Sequence, residues 1–173
     1  MKLADADKLA LRIADVLSPF CSRIDIAGSI RRRRPEVGEI DIVCLPKDPL
    51  EELALHRRCS ERGKMIKSGE QYAVYTFGGP TLAQAFHLDL WFAHNGTNDL
   101  LSHTPSNYGM LLLSRTGSAL HNIYLAKLAK TRGLKFSPDA GLLDGETVVA
   151  SETEEEIFDK LGIQWIPPAA RKR

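Results

Sequence analysis

At 173 residues, 43% hydrophobic and 26% charged, the chain has the make-up of an ordinary globular protein able to bury its own core without disulfides or a structural metal. Cys21, Cys44 and Cys59 form no CxxC pair and adjoin no histidine pattern, which argues against a zinc or disulfide framework and for reduced thiols in an intracellular compartment. Met1 opens into a charged amphipathic segment and no apolar run reaches membrane-spanning length, so neither a secretory leader nor a membrane partner is expected.

The net charge of +1 does not announce a polyanionic partner, but its distribution is uneven. Positive charge gathers at Arg31, Arg32, Arg33 and Arg34, at Arg57, Arg58, Arg62, Lys64 and Lys67, at Lys127, Lys130, Arg132 and Lys135, and at the Arg171-Lys172-Arg173 tail. Negative charge is dense at Glu152, Glu154, Glu155 and Glu156. Taken alone, such runs are most simply solvated faces.

Apolar residues at Leu9, Ile13, Val16, Leu17 and Phe20 predict an opening helix with one buried face, closed by Ser18-Pro19. Alternation over residues 23–27 predicts a strand, broken by Gly28-Ser29. A helical turn over 30–34 stops at Pro35, and a second strand over 39–45 buries its Ile40 and Ile42 side. Asp48-Pro49 starts a helix that Gly63 ends. Strand-like runs follow at 64–68, 72–77 and 86–93, the last two separated by Gly78-Gly79-Pro80. Aromatic residues at Tyr72, Tyr75, Phe77, Trp91 and Phe92 read as core rather than as base-stacking surfaces.

The composition changes near residue 95. A polar, turn-rich stretch over 95–106 leads into helix over 107–131, interrupted at Thr116-Gly117-Ser118 and ended at Arg132-Gly133. A hairpin turning at Asp144-Gly145 comes next, then a helix whose Thr153 and Glu156 form a capping box, with Pro167-Pro168 ending regular structure. The expected fold is therefore α+β: a mixed sheet with helices on one face over residues 1–95, then a small, mostly helical part with a short hairpin over 96–173.

Glu39 and Asp41 are two apart, so on a strand they share a face with Cα atoms about 6–7 Å from each other. Asp89 is likewise a lone acid among large apolar residues, in His87-Leu88-Asp89-Leu90-Trp91, with His87 on its face. If the two strands are neighbours, three carboxylates converge. They could not all stay ionised unless a cation neutralised them, and hard oxygen ligands suit Mg²⁺ or Mn²⁺. Such clusters hold two metals for in-line phosphoryl transfer. An isolated E-x-D is weak, but Gly28-Ser29-Ile30-Arg31-Arg32 stands just upstream. There a glycine lets backbone approach phosphate, Ser29 adds a hydroxyl and Arg32 a charged fork.

Gly28-Ser29-Ile30-Arg31-Arg32 followed by Gly38-Glu39-Ile40-Asp41-Ile42-Val43 resembles the nucleotidyltransferase palm signature of the family X DNA polymerases, the polymerase beta family. Asp89 matches that family's third metal-ligating aspartate. Arg115-Thr116-Gly117-Ser118 is similar to its aromatic-Thr-Gly-Ser turn, Asn122 to its base-facing asparagine, and residues 151–161 to the end of its nucleotide-gripping subdomain.

The resemblance implies a nucleotidyltransferase palm over residues 1–95 and a nascent-base-pair-binding subdomain over 96–173. Glu39, Asp41 and Asp89 would bind two Mg²⁺ or Mn²⁺ ions. Gly28, Ser29, Arg32 and Gly38 would hold a deoxynucleoside triphosphate, and Thr116, Gly117 and Asn122 would meet its sugar and base. A primer 3′-hydroxyl would attack the α-phosphorus and release pyrophosphate. The implied setting is short-gap filling in DNA repair by a monomer. Because the amino-terminal lyase domain and DNA clamps of larger members have no counterpart, gapped or primer–template DNA would be held by the chain's own basic face. That face draws on Arg31, Arg33, Arg34, Lys64, Lys67, Lys127 and Lys130, with steep salt dependence and no abasic-site processing.

The chain departs from the family pattern at several points. Glu39 stands where most members have Asp, Ser114 and Arg115 where aromatic residues are common, Ala119 where some have an acid, and Ala126 where an arginine reads the template side. These bear on metal choice, sugar discrimination and fidelity. Two other readings stay open at this stage: a template-independent or non-DNA nucleotidyltransferase on the same fold, and a nucleic-acid-binding module with a decayed site.

Overall fold

The computed structural model describes residues 1–78, 85–98 and 103–171. Gly79 and Pro80 of the expected break, part of the turn-rich 95–106 stretch, and Lys172 and Arg173 of the basic tail lie outside them. The chain divides into two compact units, Met1–Phe92 and Ala93–Arg173. Among the described residues no helix is long and apolar enough to cross a membrane.

In the first unit, helix α1 (Leu3–Leu17) runs through a short 3-10 turn (Ser18–Phe20) into β1 (Cys21–Ile26). There follow α2 (Gly28–Arg31), β2 (Ile40–Pro46), α3 (Pro49–Ser60), β3 (Lys64–Gly69), β4 (Tyr72–Phe77) and β5 (Phe86–Phe92). The strands form one mixed sheet in the order β1-β2-β5-β4-β3. β2 and β5 are parallel neighbours at its centre, and every other pairing is antiparallel.

Strand alternation then sorts the side chains. Ile40, Ile42 and Cys44 of β2, Leu88, Leu90 and Phe92 of β5, and Ala73 and Tyr75 of β4 form one apolar cluster with Ala6, Ala10 and Leu17 of α1 and Leu55 and Cys59 of α3. One sheet face is thereby covered by helices, and the opposite face carries Asp41 and Asp89. Helix α3 begins as its sequence dictates: Asp48 accepts the Leu50 and Glu51 amides at 2.8 and 2.9 Å, and Pro49 supplies the first turn. A cap of this kind contributes about 1 kcal/mol.

The second unit contains the short ladder of β6 (Thr97–Asn98) and β7 (His103–Thr104), helices α4 (Tyr108–Thr116) and α5 (Ala119–Thr131), and strands β8 (Lys135–Ser137), β9 (Gly141–Asp144) and β10 (Thr147–Ala150). It closes with α6 (Glu154–Lys160) and a 3-10 turn (Pro168–Ala170). Met110, Leu113, Leu125, Ala129, Leu142, Ile157, Phe158 and Leu161 make its core. Glu154 is almost fully buried, and its carboxylate takes both terminal nitrogens of buried Arg171 at 2.9 Å each, beside the Trp165 and Phe158 rings.

Several local expectations need correction. The helical turn expected over residues 30–34 starts at Gly28 and ends at Arg31, because Arg33 enters the left-handed region at φ 57° and leaves the helix. Glu39 precedes β2 rather than lying on it. The hairpin turns at Gly145-Glu146, between the paired Asp144 and Thr147, because Gly145 supplies the positive φ of 58° at the first turn position. Thr153 caps α6 through the Glu156 amide at 3.2 Å, but the Glu156 carboxylate reaches past it to the Ser151 and Glu152 amides. Strand β8 was not anticipated, and it extends the expected hairpin to a three-stranded sheet.

Candidate active site

Asp41 and Asp89 are direct partners in the parallel β2–β5 ladder, so both project at the same level from the face opposite the one that α1 and α3 cover. Glu39, at the entry to β2, completes the group: one carboxylate oxygen from each of the three acids lies within 4.8 Å of the others. Glu39 is exposed, while Asp41 and Asp89 are half-buried.

The electrostatics follow from this crowding. Burial, then the charges of Glu39 and Asp89, push the Asp41 carboxyl up to about 7. The Trp91 hydrogen bond and the Arg32 charge pull the other way. Burial and Glu39 also raise Asp89, against His87 and Lys67. An all-oxygen set of acids that resist joint ionisation is the donor chemistry of a hard divalent cation, so the residues fit the ions the sequence implies.

The backbone beside the cluster is built to the same end. Gly28 opens α2 at φ 58°, and a Cβ placed there would lie 1.9 Å from Asp41 Oδ2. Glycine is therefore required for Asp41 to occupy its place. The Ala27 amide donates to the Asp41 carbonyl at 2.8 Å, fixing the end of β1 against the start of β2. Ser29 and Arg32 are half-buried in the same turn. Gly38 is exposed, and a Cβ there would meet nothing within 4 Å, so the fold itself makes no demand for glycine at that position.

Two aromatic side chains expected in the core prove to flank the acids. Tyr75 and Phe92 are buried as expected, but Tyr72 and Trp91 are direct partners on the acid-bearing face, with ring centroids 5.5 Å apart. The Trp91 indole N–H donates to Asp41 Oδ1 at 3.4 Å. Strand parity could have found Trp91, since it is two residues beyond Asp89. His87 shares that parity and is exposed.

In the second unit, Thr116 and Gly117 are buried at the end of α4, where the Gly117 amide bonds the Leu113 carbonyl. The Gly117–Ser118 peptide is cis. The Asn122 amide group donates to the Ser114 carbonyl at 2.7 Å, while its buried Oδ1 has no hydrogen-bond partner among the described residues. The preceding His121 turns inward, where burial pushes its imidazole down to about 4. Arg115, in the place of an expected aromatic residue, forms an ion pair with Asp139 at 2.8 Å.

The expected basic residues are scattered in setting. Lys64 and Lys67 are exposed on β3 and Lys127 and Lys130 on α5, whereas Arg31 and Arg34 are half-buried and Arg33 pairs with Asp7 at 3.0 Å. Lys67 also stands 5.2 Å from the centre of the Tyr72 ring.

Residues 111–172 match the family described as DNA polymerase beta thumb. The chain is similar to the DNA polymerase/3'-5' exonuclease PolX of Bacillus subtilis (strain 168), with 27% identity over 169 residues, covering 95% of this chain and 27% of that protein. It thus spans about a quarter of that relative's length. Two crystal structures of Leishmania infantum polymerase beta share the fold across the whole of this chain. The ternary primer–template (P/T) complex has a TM-score of 0.77 at 16% identity over 77% of that chain. The ternary gap complex has a TM-score of 0.79 at 14% identity over 71% of that chain.

Proposed function

We propose that this chain, a homologue of the family X DNA polymerases over their palm and thumb region, is a DNA-directed nucleotidyltransferase that adds deoxynucleotides to a primer 3′-hydroxyl. The observation that carries the reading is the meeting of Glu39, Asp41 and Asp89 within 4.8 Å, beside a glycine whose missing side chain makes room for Asp41.

The three carboxylates are the ligands for two Mg²⁺ or Mn²⁺ ions. Bound there, the ions supply a lowered pKa at the attacking hydroxyl and charge neutralisation on the triphosphate and leaving group. Gly28 lets the backbone of its turn come close to phosphate, Ser29 donates its hydroxyl, Arg32 offers a charged fork, and Gly38 leaves an open approach to Glu39. Thr116, Gly117 and Asn122 serve the sugar and base of the incoming nucleotide. Lys64, Lys67, Lys127 and Lys130, with Arg31, Arg33 and Arg34, neutralise phosphates of gapped or primer–template DNA. The fitting physiological task is short-gap filling in DNA repair, by a monomer inside the cell.

Primer extension on gapped DNA, with Mg²⁺ and with Mn²⁺, tests the reading; no incorporation with either ion rejects it. A template-independent transferase on the same fold is the second reading. It is favoured by Arg115, which stands where an aromatic residue is common beside the sugar and is tied instead to Asp139 at 2.8 Å. Incorporation that ignores the template base would establish it instead.

A further inference from the structure

Asp41 is the most constrained of the three acids, and each of its carboxylate oxygens has a distinct neighbour. Oδ2 lies against Gly28, in the space a side chain there would fill. Oδ1 accepts the indole N–H of Trp91 at 3.4 Å, at the long end of hydrogen-bond range. Trp91 is in turn held from the side by Tyr72, its ladder partner, at a ring separation of 5.5 Å. The indole is thus a fixed donor aimed at one oxygen of a candidate metal ligand.

The chemistry of that donor matters. An arginine or lysine in its place would orient the carboxylate equally well, but would set a positive charge beside the divalent ions and oppose their binding. A neutral N–H steadies the ionised carboxylate without that repulsion, and an oxygen that accepts one hydrogen bond keeps a lone pair for a cation. Metal ligands are commonly oriented by such outer partners, whose loss costs 10–100-fold in affinity where the partner is well formed.

We infer that Trp91 is a positioning residue: its indole N–H, braced by Tyr72, holds the Asp41 carboxylate in the orientation that lets it bind a divalent ion together with Glu39 and Asp89. The inference rests on the metal-binding reading of those three acids.

The test is direct ion binding by the intact chain without DNA or nucleotide, using Mn²⁺ measured by electron paramagnetic resonance and by calorimetry. Trp91→Phe keeps a ring against Tyr72 but lacks the N–H, and is expected to weaken Mn²⁺ binding about 3–10-fold. Trp91→Gln keeps a donor in a smaller side chain and is expected to bind more tightly than Trp91→Leu. In a Trp165→Phe background, where Trp91 is the sole tryptophan, Mg²⁺ is expected to shift the indole emission with the same saturation curve as binding. Unchanged Mn²⁺ affinity in folded Trp91→Phe, equal affinities in the Gln and Leu variants, or Trp91 emission indifferent to saturating Mg²⁺ would each overturn the positioning role while leaving the metal site standing. Failure of the unaltered chain to bind either ion would overturn both.

Discussion

A side chain on Gly28 would collide with Asp41: the added Cβ would lie 1.9 Å from Oδ2 and 2.7 Å from the carboxyl carbon. The glycine that shapes the proposed phosphate turn is thus also the one that admits the central acid. Gly28→Ala must either displace Asp41 or distort a backbone already at φ 58°. A loss of about 1–3 kcal/mol in stability is expected, together with at least a hundredfold loss of primer extension. Gly38→Ala, which meets nothing, is expected to leave stability within about 0.5 kcal/mol. Chemical denaturation of the two variants side by side checks both.

Asp41→Asn and Asp89→Asn remove charge from the cluster while keeping side-chain size. Each is expected to abolish nucleotide incorporation, by at least a thousandfold, while leaving the circular dichroism of the chain unchanged. Incorporation retained in either variant would mean that the three acids are not the metal ligands.

The proton linkage of Asp41 has a definite sign. Its folded-state pKa is raised to about 7 from the ordinary carboxyl value of 3.8, chiefly by burial and the charges of Glu39 and Asp89. Between those two values the native chain holds more protons than the unfolded one, so stability without metal falls as pH rises through that window and levels off above it. In the presence of a chelator Asp41 therefore lowers stability at pH 8 relative to pH 5, whereas His121, pushed down to about 4, contributes the opposite slope below its ordinary range. The Asp41 contribution is about 1–3 kcal/mol, and it is read as the gain in stability at pH 8 relative to pH 5 when Asp41→Asn is compared with the unaltered chain. Divalent ion should restore stability most at the alkaline end, where the ligands are ionised.

Glu154 and Arg171 form a bidentate pair that is almost wholly removed from water, with the Phe158 and Trp165 rings near the guanidinium. Removing one partner strands the other charge. Arg171→Met or Glu154→Gln is expected to destabilise the chain by about 3–5 kcal/mol in urea unfolding, whereas the double variant should recover part of that loss.

Much of the acid-bearing face was legible because strand parity is a strict rule. The Ile40/Asp41/Ile42 and Leu88/Asp89/Leu90 triplets each place one acid opposite two core residues, and the parallel pairing of β2 with β5 sets the acids level. Parity cannot by itself say which of two apolar faces is covered. Trp91 follows Asp89 by two residues and so shares its face by parity alone, whereas Tyr72 reads as core and only its pairing with β5 puts it beside the acids. Short elements were harder still. Strand β8 carries too few residues for a pattern, and the turn at Gly145-Glu146 differs from the Asp144-Gly145 reading by one position that composition cannot fix. The inward path of Glu156 to the Ser151 and Glu152 amides depends on how the chain enters α6, which the capping pattern alone does not encode.

The parallel β2–β5 pair also has a kinetic meaning. The two strands are separated in the chain by α3, β3 and β4, so their pairing closes a long loop and cannot be assembled locally. The proposed ion site would then be complete only when that non-local pairing is, and a refolding chain should regain helical signal before it regains affinity for Mn²⁺. An ion that recognises only the closed pair would act chiefly by slowing unfolding, lengthening the lifetime of the native state rather than hastening its formation.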